Sequence, residues 1–178
     1  MARSLRVGRA KVGLLALALG AVVHLLLPAA LVFGAYGLDR LLGKSLSWVL
    51  WVRLPLGAVL FILSVTLEGA TLPHFIRAGG LPSPLTPTES LVVTGPYRYC
   101  RNPICIAYIG YVVGPGIMLG LRSSFLVAAL YCLCLVVVTK FFEEPQLRRR
   151  FGEQFELYRR TTPFMIPRFR PHRLSKTS

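Results

Sequence analysis

From Val12 to Gly37 the chain reads VGLLALALGAVVHLLLPAALVFGAYG, with no Asp, Glu, Lys or Arg anywhere in it. Such a run outlasts the ~20 apolar residues needed to cross ~30 Å of hydrocarbon. Three further apolar runs follow, and spans are expected at about 13–37, 48–72, 103–121 and 124–142. A bilayer interior offers no water to backbone N–H and C=O groups, so each span must be a helix. The expected fold class is therefore all-α: a polytopic membrane helix bundle of about four transmembrane helices, forming a single membrane domain over 1–178. Composition agrees, since 16% of residues are charged, against roughly a quarter in a soluble globular domain. The first run is too long for the apolar core of a signal peptide and no small-residue cleavage site follows it, so it reads as a retained span.

A net charge of +14 would suggest nucleic acid as partner in a soluble protein. Its distribution says otherwise. Of the 21 lysines and arginines, all but Arg40, Lys44, Arg53 and Arg122 lie in the N-terminal segment, the 73–102 loop or the tail from Lys140 onward. Positive charge marks the cytoplasmic side of membrane proteins. The expected arrangement is a multi-pass integral membrane protein with both termini and the 73–102 loop in the cytoplasm, and no nucleic-acid partner. After the fourth span, Leu147, Phe151, Phe155 and Tyr158 recur on one helical face behind Pro145. This predicts a separate amphipathic helix lying along the cytoplasmic interface.

Several residues within the runs have plain readings. The four cysteines (Cys100, Cys105, Cys132, Cys134) show neither CxxC nor zinc spacing, and read as small buried hydrophobes with no disulfide framework or metal site. Arg53 reads as a snorkelling interface residue. Glu68, about a turn from the cytoplasmic end of span two, reads as a paired or snorkelled carboxylate, and His24 as a neutral, hydrogen-bonded histidine, although ionisable groups at such depth also mark functional sites. Gly110, Gly114, Gly116 and Gly120 around Pro115 predict close helix packing, with a cleft at a proline kink as the other possibility.

The remaining polar residues gather in two cytoplasmic words. TGPYRYCRNP, just before span three, supplies Tyr97, Arg98, Arg101 and Asn102. EEPQLRRRFGEQFELYRR, just after span four, supplies Glu143, Glu144, Arg148, Tyr158 and Arg159. Only Arg122 and Ser123 separate the two spans, so a tight hairpin must bring the words side by side, with opposite charges converging. Each residue also has a structural reading. Asn102–Pro103 makes a good helix start, with Asn as cap and Pro in the first turn, and the glutamates favour a helix N-terminus.

Taken together, the words resemble the isoprenylcysteine carboxyl methyltransferase and phospholipid methyltransferase family, in which G-x-Y-R-x-x-R-H-P precedes a helical hairpin and E-E-x-x-L-x-x-x-F-G follows it. The match runs from about 94 to 168. The resemblance implies an integral-membrane methyltransferase that uses S-adenosylmethionine and a hydrophobic or lipid-like acceptor entering from the bilayer. It assigns Gly95, Pro96, Tyr97, Arg98, Arg101, Asn102, Pro103, Glu143 and Glu144 to the cofactor site, within elements 94–103 and 143–168. Arg101 and Glu144 are expected to carry activity, and Tyr158 and Arg159 to contact the acceptor. An arginine suits the carboxylate of the cofactor's methionine end, and a glutamate its ammonium or ribose. Three departures stand out: Asn102 replaces the family histidine, Cys105 a tyrosine, and Phe155 the first tyrosine after F-G. Asn102 can bond and cap but cannot titrate. The alternatives are an NADPH-dependent sterol-type reductase on a related scaffold and a non-catalytic membrane scaffold protein.

Overall fold

The computed structural model describes residues 26–43, 46–80 and 88–168, together with Val22. His24 and the first half of the predicted span one lie outside the described residues. Among them the chain is helical with no strand: α1 Leu27–Leu42, α2 Leu50–Arg77, a short 3-10 turn Gly95–Arg98, α3 Pro103–Leu119, α4 Ser123–Val138, a π-helical turn Thr139–Glu143 and α5 Glu144–Thr161. Two helical stretches are long and apolar enough to cross a membrane, Leu50–Arg77 and Ser123–Thr161; Pro103–Leu119 is apolar but shorter. The outward faces of the bundle are greasy, with Phe33 of α1, Trp51 and Ile62 of α2, and Leu130 and Leu133 of α4 all exposed. Ser64, Thr71, Ser124 and Thr139 are turned inward and buried. That inside-out distribution suits a chain whose surroundings are hydrocarbon.

Helix α3 is the centre of the bundle, in contact with α1, α2 and α4. It opens with Pro103, whose missing N–H costs nothing in a first turn. It closes at Gly120, whose φ of 74° lets the chain reverse while the N–H of Leu121 bonds back to Gly116 O at 2.7 Å. The glycines do what their spacing predicts. A Cβ on Gly110 would run into Ser64 Oγ, one on Gly114 would lie 2.9 Å from Gly57 O, and one on Gly116 would strike Ser124. Backbones therefore approach closely at both the α2–α3 and the α3–α4 contacts.

The turn from α3 to α4 is closed by a residue the sequence reading passed over. Asp39 of α1, 6% exposed, accepts from the N–H of Arg122 (2.6 Å), the N–H of Ser123 (3.0 Å) and the hydroxyl of Ser123 (2.5 Å). It caps α4 from a different helix, satisfying donors that α4 leaves open. Arg53, in the first turn of α2, lays its guanidinium against Gly120, where a Cβ would collide with it. Glu68 is paired, accepting a hydrogen bond from the Tyr111 hydroxyl.

Three expectations need correction. First, α2 continues to Arg77, beyond the predicted end near 72, and carries His74 and Phe75 into the next segment. Second, the amphipathic helix does not start anew after α4: the π turn leads from α4 straight into α5, and the chain breaks helical geometry further on, at Gly152 (φ 51°, ψ −123°). Its apolar face packs on the protein itself: Phe155 and Tyr158, 1% and 5% exposed, cluster with Tyr97, Phe75, Leu91, Val92 and Val93. Third, Cys134 is exposed on α4, whereas Cys100 and Cys105 are buried as small hydrophobes; all four thiols are free.

Candidate functional site

The two polar words meet at one end of the bundle. Gly95 has φ +60°, the left-handed region that glycine enters without strain. It opens the 3-10 turn that buries Tyr97 (8% exposed). The Tyr97 ring packs edge-on against Phe75 at 5.7 Å, and its carbonyl accepts from the Tyr158 hydroxyl at 2.8 Å. Burial raises the Tyr97 phenol well above its ordinary range, with Tyr158 adding to it, so it stays protonated at neutral pH. Cys100 is 1% exposed and its thiol is pushed up by the same cause.

Arg101 is the hub. Its Nη2 lies 2.9 Å from Glu144 Oε1, with side-chain exposures of only 10% and 13%. Its Nη1 donates to the Arg159 carbonyl at 2.6 Å, and its guanidinium lies over Phe164 at 5.7 Å from the ring centre. Burial pulls the Arg101 pKa down while Glu144 pulls it back, and a guanidinium remains charged under both pressures. Two atoms at this hub, Arg101 Nε and Glu144 Oε1, are buried with no aligned hydrogen-bond partner among the described residues. The 2.9 Å contact is thus an ion pair without good hydrogen-bond alignment, and Arg101 Nε keeps an unused donor.

Asn102 stands at the start of α3 but does not cap it. Its side chain makes no cap bond to the helix, and Nδ2 instead donates to the Phe164 carbonyl at 3.0 Å. That bond, with Arg101 N to Pro163 O (2.9 Å) and Arg168 N to Tyr99 O (3.0 Å), stitches the segment after α5 onto the first word. Lys140 also lies over the Phe164 ring, at 4.8 Å from its centre.

The hairpin brings Gly95 to Pro103 beside Glu144, but not every expected member joins the hub. Glu143 is the more exposed of the two glutamates and is hydrogen-bonded to Thr139 in the π turn. Arg98 is half-buried at the end of the 3-10 turn. Arg148 and the Arg159 side chain pair with Glu156 at 2.5 and 3.0 Å, and Arg159 reaches the hub only through its carbonyl. The hydroxyl of Tyr158 is committed to the Tyr97 carbonyl. Phe164 and His74 were missed as contacts. Phe164 sits in PFMIPR, whose flanking prolines signal a fixed, non-helical segment. His74 is a polar residue at the end of an apolar run, a place where a lone histidine attracts no particular reading.

Helices of membrane length enclosing a buried Arg–Glu pair where two polar words meet describe a membrane protein with a polar site at one end. Residues 52–154, more than half of the chain, match the phospholipid methyltransferase family, and the chain belongs to that family. It is also similar to the nickel-cobalt-cadmium resistance protein NccN of Alcaligenes xylosoxydans xylosoxydans, 34% identical over 93 residues. That stretch is 51% of this chain and 42% of the relative, so the chain spans less than half of the relative's length. No solved structure matches the chain.

Proposed function

We propose that this protein is an integral-membrane methyltransferase that draws its methyl group from S-adenosylmethionine and passes it to a hydrophobic or lipid-like acceptor at the cytoplasmic face. The observation that carries this reading is the buried Arg101–Glu144 ion pair, beside which Arg101 Nε has no hydrogen-bond partner among the described residues. The methionine end of the cofactor is a zwitterion, and a carboxylate plus an ammonium is the charge complement of an arginine plus a glutamate. Arg101 would hold the carboxylate through the Nε edge of its guanidinium, and Glu144 the ammonium through its carboxylate. Gly95 to Tyr97 and Asn102 to Pro103 would close the site around it, and Glu143 would supply a second carboxylate. When bound, S-adenosylmethionine supplies a sulfonium methyl group for in-line transfer. The residues' part is to position, to exclude water and to hold complementary charge.

Between α1, α2 and α3 an apolar cleft of about 740 Å3 opens on the bundle surface, lined by Val32, Phe33, Phe61, Val65, Tyr111 and Pro115 among others. Its lining suits a hydrocarbon chain and supports an acceptor that arrives from the bilayer. The proposed topology is four spans with both termini cytoplasmic, which puts the Arg101 hub and the basic residues of α5 on one side.

The test is calorimetric. The wild-type chain in detergent should bind S-adenosylmethionine, and Arg101→Ala should weaken binding by at least ~30-fold, the effect of stripping one partner from a buried charge pair. Glu144→Gln, which keeps shape and removes charge, should weaken it less. Equal binding by wild type and Arg101→Ala would remove the hub from the cofactor site.

A further inference from the structure

We propose that His74 is a positioning residue for the cofactor site, acting through Thr94 and Gly95; this rests on the reading of Gly95 to Tyr97 as cofactor-lining. His74 lies in the last turn of α2, twenty residues before Thr94. Its Nδ1 is hydrogen-bonded to Thr94 Oγ1 at 2.7 Å. The rest of the ring lies flat on Gly95: Nε2, Cδ2 and Cε1 are the three atoms that a Cβ there would meet. Gly95 is thus held by two requirements at once, a left-handed φ and an imidazole in the space where a side chain would stand.

The next residue completes the grip. Phe75 packs edge-on against Tyr97, so consecutive residues of α2 hold both ends of the G-P-Y stretch. Below them, α2 is locked to α3 through Gly57, Ser64, Gly110 and Gly114. The turn that opens the first word is therefore referenced to the most closely packed helix pair in the bundle.

Histidine suits this place for a chemical reason. A flat ring can cover a glycine Cα while one ring nitrogen reaches a neighbouring hydroxyl. Phenylalanine gives the cover without the bond, and asparagine the bond without the cover. Asn102, at the family's usual histidine position, spends its amide on the Phe164 carbonyl. The imidazole beside this word therefore comes from α2.

The experiment uses the full-length chain in detergent, with two readouts. Hydrogen exchange of the backbone from Thr94 to Cys100 reads the turn directly, and calorimetry with S-adenosylmethionine reads cofactor affinity. His74→Ala should speed exchange there and weaken the cofactor about tenfold, the scale of one lost hydrogen bond plus its packing. Thr94→Val, which leaves the helix untouched, should produce most of the same effect, and the double variant should be no worse than His74→Ala alone. Arg77→Ala, in the same helical turn, should change neither readout. His74→Phe and His74→Asn should each recover part of the loss. Unchanged exchange in His74→Ala and Thr94→Val, or fully additive losses in the double variant, would overturn the proposal. Cofactor binding by the wild type that His74→Ala leaves intact would overturn this proposal alone. No binding by the wild type would overturn the cofactor reading and this inference with it.

Discussion

Replacing Gly57 by alanine tests how the bundle is held and how its packing reaches the site. The new Cβ would lie 2.5 Å from Gly114 O and 2.9 Å from Met118 N, both backbone atoms of α3. Carbon needs about 3.5 Å from such neighbours, so the two helices must part by roughly 1 Å. Overpacking of this kind costs about 1–3 kcal/mol, and the upper part of that range applies because neither side can swing away as a side chain could. Alanine returns about 0.5–1 kcal/mol in helix propensity. The net expectation is a loss of about 2 kcal/mol. Gly69, on the same helix with nothing within 4 Å of its missing Cβ, is the internal control. Gly69→Ala should be neutral or gain about 0.5–1 kcal/mol. Unfolding by SDS in mixed micelles measures both, and because α2 carries His74 and Phe75, Gly57→Ala should also weaken cofactor binding. A Gly57→Ala protein as stable as Gly69→Ala would refute the close-packed α2–α3 interface and the transmission argued from it.

Other consequences follow from single side chains. Asp39→Ala leaves two backbone N–H groups and a hydroxyl without their acceptor; a loss of about 3 kcal/mol is expected in the same unfolding assay, and Asp39→Asn, which keeps one acceptor oxygen, should lose about half of that. Asn102→Ala should cost only about 1 kcal/mol, the bond to Phe164 O, because the side chain caps nothing and Pro103 still starts α3. Cys100 should resist iodoacetamide at pH 7.5 in the folded protein and react after denaturation, as read by intact mass. Its raised pKa keeps the thiol protonated below that pKa, and the reactive thiolate appears only as pH climbs through it. Rapid labelling of Cys100 in the folded chain would contradict its burial.

The all-helical architecture and the meeting of the two words were legible because each depends on local signals. Long apolar runs need no partner to be recognised, and a two-residue turn leaves little freedom for what it joins. That opposite charges converge followed from that hairpin, whereas singling out Arg101 and Glu144 took the family resemblance. What escaped the reading was set by partners distant in sequence. Asp39 serves Ser123 from across the bundle, His74 serves Thr94 from the end of another helix, and Phe164 lies between Arg101 and Lys140 only once the tail folds back. Asn102 shows the limit of local signals, since Asn–Pro is a good helix start by type and the side chain was claimed by the Phe164 carbonyl. Leu147, Phe151, Phe155 and Tyr158 do pack together, but period alone shows neither the bend at Gly152 nor whether protein or lipid covers them.

The central claim is most directly tested by incubating the purified full-length protein in lipid nanodiscs with methyl-labelled S-adenosylmethionine and host lipid extract. The expected result is label in a hydrophobic, organic-extractable product, present with wild type and lost with Arg101→Ala. Labelled cofactor that is neither bound nor consumed by the wild-type chain would contradict the assignment.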